Sequence, residues 1–122
     1  MKSRLQSIKG LKKKADKLYQ IRLIEQKPMS IISGQATEVI HHFIRKSQSA
    51  NLRYDYANGV PLTNKEHCQH HLSGDPSIVA DIIKAYGREW FEDLQTRRRI
   101  DFKMNKEEIF KILRTYKMMG AI

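Results

Sequence analysis

Between residues 2 and 26, apolar side chains recur at helical spacing: Leu5, Ile8, Leu11, Ala15, Leu18, Tyr19 and Ile21. Lys12, Lys13, Lys14 and Lys17 take the outer side of this predicted basic helix. It should stop before Pro28, because proline pushes the preceding residue out of the α region. Ser30, Ser33 and Gly34 mark a turn segment over 29–35. The pattern then shortens. Ala36–Ile40 reads as a brief strand leading into His41-His42, residues 43–56 read as polar loop, and Gly59–Leu62 reads as a second strand. Asn58 stands at the entrance of that strand, and Pro61 implies an edge position.

Helical signals return at Thr63. Thr63-Asn64-Lys65-Glu66 is a capping box, in which the Thr63 hydroxyl takes the third amide of the helix and Glu66 reaches back to the Thr63 amide. The short helix it opens runs to about Leu72, with Gly74 as its stop. Asp75-Pro76 opens another, to about Tyr86 and Gly87. A further helix lies near Trp90–Gln95, and Arg97-Arg98-Arg99 breaks its apolar pattern. Asn105 with Glu108 opens a C-terminal helix through about Met118. Ile83, Trp90, Phe91 and Ile109 read as core. Two strands and four or five helices make an α+β chain. It reads as one domain: a basic helix over 1–28, a hairpin-and-helix core over 29–74, and helices over 75–122.

Composition narrows the class. The chain has 122 residues, 40% hydrophobic and 30% charged, which suits a globular domain. No apolar run approaches the roughly 18–20 residues of a membrane span, and the basic N-terminus lacks the apolar run and cleavage site of a secretory signal. The single cysteine, Cys68, can form neither an internal disulfide nor a zinc knuckle. It reads as a small buried residue, and a reducing cytoplasm is the expected compartment. The net charge of +10 is uneven: residues 1–27 carry nine Lys/Arg against two acids, a local +7, and the remainder +3. Such a chain attracts polyanions, of which nucleic acid is the commonest.

The candidate chemistry lies in five residues. His67 and His71, at i and i+4, fall on one face of the capped helix, within reach of one ion; His70 ranks behind His71 as an alternative. Successive side chains of a strand alternate, so His41 and His42 should go to opposite sides, one as a ligand and the other as a base. Asn58 offers an amide oxygen that could accept the N–H of the base and fix its tautomer. Three imidazoles can hold a divalent metal while a fourth takes a proton from water.

The order of these residues carries a resemblance. The stretch E-V-I-H-H-F-I-R-K-S…L-R-Y-D-Y-A-N-G-V-P-L-T-N-K-E-H-C-Q-H-H-L-S-G (38–74) is similar to the HNH, or His-Me finger, endonucleases. Y-D-x-x-N followed nine residues later by H-x-x-x-H resembles the nuclease colicin version. The leading L-K-K-K-A-D-K-L-Y and the trailing Y-G-R-E-W resemble small phage recombination nucleases of the NinG (Rap) type. The core resemblance covers about a third of the chain, and the flanks extend it loosely.

The resemblance implies a ββα-metal finger embedded among flanking helices. His42 would be the general base and Asn58 the residue orienting it, with His41, His67 and His71 as metal ligands. It implies one divalent ion (Mg, Mn, Ni or Zn), DNA as partner, branched forms included, and hydrolysis to a 5′-phosphate and a 3′-hydroxyl in phage recombination or DNA processing. Many relatives also carry two C-x-x-C pairs on a structural zinc. The equivalent places here are Ser30 with Ser33 and Thr63 with Glu66, so no structural zinc is expected. Arg53 could grip the scissile phosphate. Lys12, Lys13, Lys14, Lys17 and Arg97–Arg99 could contact flanking phosphates. A junction-resolving enzyme would need two such sites, hence a dimer, but no dimer face is legible. Two other classes remain open: a non-catalytic basic DNA/RNA-binding module whose ββα unit only holds structure, and a phage protein that recruits a host partner through its C-terminal helix.

Overall fold

Leu11, Ala15, Tyr19 and Leu23 form the buried stripe of the first helix, one residue every four. In the computed structural model, which describes residues 7–73 and 76–120 apart from the side chains of 70–73, this helix is α1, Ile8–Gln26. The Ser7 hydroxyl caps it by accepting the Gly10 amide at 3.1 Å, and the Lys27 amide closes it on the Leu23 carbonyl just before Pro28. Ile8 and Ile21, expected on the apolar face, are exposed. The real stripe is narrower and drifts by the 40° that separates four residues from one full turn. Leu5 lies outside the described residues.

The chain then forms a two-stranded antiparallel hairpin, β1 (Val39–His42) and β2 (Gly59–Leu62). Its register pairs Ile40 with Pro61, His41 with Val60 and His42 with Gly59. The histidine pair therefore lies within β1, not after it. The loop after β1 ends in a 3-10 turn, Tyr56–Asn58. Helix α2 (Asn64–Ser73) follows the hairpin directly. Then come α3 (Pro76–Tyr86), α4 (Arg88–Arg97) and α5 (Lys106–Met119). The architecture of the described residues is α+β, five helices and one hairpin. Glycine is needed between α3 and α4, where Gly87 has φ +99°. No described helix is long and apolar enough to cross a membrane.

Three apolar clusters hold these elements. The first joins α1 to Ile109, Leu113 and Tyr116 of α5, together with Ile40 and Tyr54. The second sets Val60 and Leu62 of β2 against Ile78 and Ile82 of α3. In the third, Leu94 of α4 packs on Ile44 and Leu52 of the loop. Trp90 bridges the last two through Phe43 and Tyr86, and its indole N–H donates to the Ala57 carbonyl at 2.9 Å. Ile109 is fully buried and Ile83, Trp90 and Phe91 partly so, in keeping with their expected core role. Cys68 departs from expectation. Glu66 takes the inward face of α2, and two residues on, Cys68 is turned outward and exposed.

Helix α1 meets the hairpin at Gly59. A methyl group there would come within 2.3 Å of a Leu23 methyl and 2.6 Å of the Tyr19 hydroxyl. The Lys27 ammonium, half sunk against the Tyr56 ring, donates to the Tyr56 and Gly59 carbonyls at 2.7 and 2.6 Å. At the other end of the hairpin the Thr63 capping box closes as expected: Glu66 N to Thr63 Oγ1 3.2 Å, Thr63 N to Glu66 Oε1 2.8 Å. The buried Ser30 hydroxyl adds a donor to the same carboxylate at 2.6 Å. So Ser30, Thr63 and Glu66 are knotted together by hydrogen bonds. Burial pushes the Glu66 pKa up, but the donors of Ser30, Thr63 and Ser33 outweigh it and hold the group below its ordinary 4.5.

Two outcomes follow from this packing. Gly59→Ala should destabilise the protein by about 1–3 kcal/mol, because backbone and helix must part to admit the methyl; urea denaturation measures it. Glu66, with its folded-state pKa depressed, contributes stability that is complete above about pH 4.5 and lost as pH falls through the lowered value. Denaturation midpoints between pH 6 and pH 3 should therefore fall more steeply for the parent than for Glu66→Gln.

Candidate functional site

Strand β1 sends its two histidines apart. His41, 3% exposed, turns toward α2, where its ring centre lies 5.3 Å from that of His67 at an interplanar angle of 63°. His42 turns toward α1 and stacks on Tyr19, centres 5.1 Å apart. All three rings line one open cleft of about 300 Å³ along the unpaired edge of β1, with Gln20, Val39, Ile40, Arg45 and Lys46. Gln20 closes part of that edge like a short strand. Its amide donates to the Ile40 carbonyl at 2.8 Å and accepts the Ile40 amide at 2.9 Å.

The His42 ring has a defined proton arrangement. Nε2 lies 2.9 Å from the Arg53 carbonyl. A carbonyl only accepts, so Nε2 carries the hydrogen and the lone pair is on Nδ1. Burial lowers the His42 pKa from 6.5, and the Lys46 and Arg53 cations lower it further against the opposing Arg53 carbonyl and Asp16. The imidazole is thus neutral at neutral pH, with one nitrogen able to take a proton. Tyr19, its stacking partner, stays a neutral phenol: burial raises its pKa far out of range, and its hydroxyl donates to the Asp55 carbonyl at 2.8 Å.

Asn58 does not touch His42 as expected. It is completely buried, and its amide faces the loop instead. Its oxygen accepts the Ile44 amide at 2.8 Å, and its nitrogen donates to the Ile44 carbonyl at 3.0 Å and the Leu52 carbonyl at 3.1 Å. Arg53 supplies the orienting carbonyl. It follows Leu52, so Asn58 holds the peptide next to the one that fixes His42. Asn58 therefore acts on the histidine through the loop backbone.

Arg53 also differs from expectation at its side chain. The fork offered to a phosphate is closed on Asp16 of α1, Nε and Nη2 bonding the two carboxylate oxygens at 3.0 and 2.7 Å. Arg97 is likewise matched, to Asp55 and Asp93. The basic residues of α1 divide between faces. Lys14 lines a separate groove of about 620 Å³ against α5, with Phe110, Arg114 and Lys117. Lys12 and Lys13 lie beside Arg53 and Asp16. Lys17 is exposed three residues before Gln20.

For a metal, the described side chains give two donors. Two imidazoles on one ion, with bonds of about 2.0–2.1 Å, place their ring centres about 5.2 Å apart at a tetrahedral angle and about 4.5 Å at a right angle. The 5.3 Å between His41 and His67 fits the first. The His71 side chain, expected as third ligand, lies outside the described residues, as does that of His70. Among the described residues no three His, Cys, Asp or Glu side chains form a metal-binding group.

Sequence reading overlooked Tyr19, Gln20, Asp16, Arg45 and Lys46. The first three were absorbed into a helical pattern, and the last two fell in an aperiodic loop. Because three buried hydrogen bonds converge on Asn58, Asn58→Ala should cost on the order of 3 kcal/mol. It should also speed amide exchange at Ile44, measured by NMR. Compared with family models, curated proteins and solved structures, the chain matches none.

Proposed function

We propose that the protein is a metal-dependent DNA endonuclease of the HNH, or His-Me finger, type, with β1, β2 and α2 as its ββα-metal unit. The observation that carries this reading is the division of labour within β1. His42 has its Nε2–H on a fixed carbonyl and its Nδ1 lone pair available. On the opposite face, His41 and His67 stand at the separation of two ligands to one ion. Both faces open on the same cleft, which has cations at its rim.

In this mechanism His42 Nδ1 takes a proton from a water molecule. The water oxygen attacks phosphorus as the bond to the 3′ oxygen breaks, leaving a 5′-phosphate and a 3′-hydroxyl. The proton later returns to solvent, and the leaving oxygen is protonated by water. Tyr19 and the Arg53 carbonyl hold the His42 ring against rotation. Bound between His41 and His67, with His71 as third ligand, a divalent ion would neutralise charge growing on the phosphate and the leaving oxygen. Imidazoles favour zinc or nickel by affinity, whereas abundance favours magnesium or manganese.

Supercoiled plasmid incubated with Mg²⁺, Mn²⁺, Ni²⁺ or Zn²⁺ should be nicked by the parent and protected by EDTA. His42→Ala should lower the rate by roughly 10²–10⁴-fold. His67→Ala should weaken Zn²⁺ binding in calorimetry. No EDTA-sensitive cleavage of linear, supercoiled or four-way-junction DNA would refute the enzyme, and salt-sensitive binding without cleavage would mark a non-catalytic module.

A further inference from the structure

The cations at the protein surface fall into two groups. Arg22, Arg53, Arg88 and Arg97 each have a carboxylate partner, as does Lys111. Arg45 and Lys46 belong to the second group, which forms no ion pair among the described residues and also holds Arg98, Arg99, Arg114 and most of the lysines; their place in the fold sets them apart. Both line the histidine cleft, and among the described residues no Asp or Glu lines it with them. Two positive charges without an ion pair therefore face a recess that no described carboxylate lines, beside three imidazoles. Such a recess favours an anion with several oxygens, because guanidinium grips two of them while an ammonium adds a point charge.

The two cations are also held in place. Ile44, the residue before Arg45, is clamped through both its backbone groups by the buried Asn58 amide. The Arg45 carbonyl then accepts the amides of Gln48 and Ser49, at 2.9 and 3.3 Å, which fixes the turn that follows. An anchored backbone on both sides leaves less conformational freedom to lose when a ligand binds.

We propose that Arg45 and Lys46 form the phosphate-binding subsite of the cleft, and that its ligand is the phosphodiester backbone of a nucleic acid. From this subsite the strand runs over the Gln20 side of α1. Lys17 and Lys13, three and seven residues before Gln20, extend the positive charge there over about 4.5 and 10.5 Å of helix. Arg53, committed to Asp16, is not the anion ligand. As the binding site for the substrate of the endonuclease, this subsite rests on that reading; as a binding site alone, it does not.

The test measures binding of a fluorescent 20-base-pair duplex by the full chain in EDTA, where no cleavage occurs, across a salt series. Arg45→Ala/Lys46→Ala should bind about tenfold more weakly and reduce the slope of log affinity against log salt by about 1.8, the share of two phosphate contacts. Arg114→Ala/Lys117→Ala removes the same charge from the groove between α1 and α5 and should change affinity less than threefold. Thermal unfolding checks that both variants are folded. Equal weakening by the two variants would reduce the effect to overall charge and overturn the proposal, as would parent-like binding by the cleft variant. With metal added, nicking by the parent but undiminished nicking by the cleft variant would also overturn it. A parent that never nicks removes the enzyme reading and leaves the binding comparison to decide the subsite.

Discussion

One buried amide governs the part of the molecule that carries the chemistry. The segment between the two strands has no ladder of its own, and its backbone polar groups must find partners inside the protein or remain in water. Asn58 supplies three of those partners, reaching Ile44 near the start of the segment and Leu52 beyond its middle. A side chain of fixed length joined to both points sets the distance between them. The Arg53 carbonyl is one peptide further on, so the orientation of the His42 ring depends on this amide without touching it. Ile44 and Leu52 are themselves packed on Leu94, so α4 supports the same clamp from outside.

Helix α1 is the second support. It is the most basic segment, which invites a reading of it as a surface for polyanions alone. Its inner side serves as a wall of the cleft. Tyr19 lies against His42, Gln20 completes the edge of β1, and Asp16 engages Arg53. These contacts need the helix close to the hairpin, and the missing side chain at Gly59 permits that approach. The sequence Asn58-Gly59 thus combines a clamp for the loop with clearance for the helix.

Local signals were legible because they are short in range. The capping box at Thr63, the stop at Pro28, the bounds of β2 and the end of α3 at Gly87 each depend on residues a few positions apart. Strand alternation likewise predicted that His41 and His42 would diverge, and their rings face different helices. The partners of Asn58 and Arg53 were not legible. Both side chains choose among acceptors and donors brought near by folding, Asp16 being 37 residues from Arg53, and no periodicity records such a choice. Arg45 and Lys46 were missed for a related reason. In an aperiodic loop a charge near the site and a charge in open solvent look alike, and only the folded cleft, which Arg45 and Lys46 line, separates them.

The packing of α1 on α5 brings distant parts of the chain together, the Arg22 side chain donating to the Tyr116 carbonyl across 94 residues. The knot between Ser30 and Glu66 spans only 36. Loop-closure entropy favours the shorter connection first. The hairpin and α2 are therefore expected to assemble early, and α1, tied to β1 by Gln20 across 20 residues, has its apolar stripe fully covered only when α5 arrives. Since α1 is a wall of the cleft, a growing chain would hold a cleft whose α1 wall is not fully covered until α5 is made. The order of assembly then ties the arrangement around His42 to a finished fold.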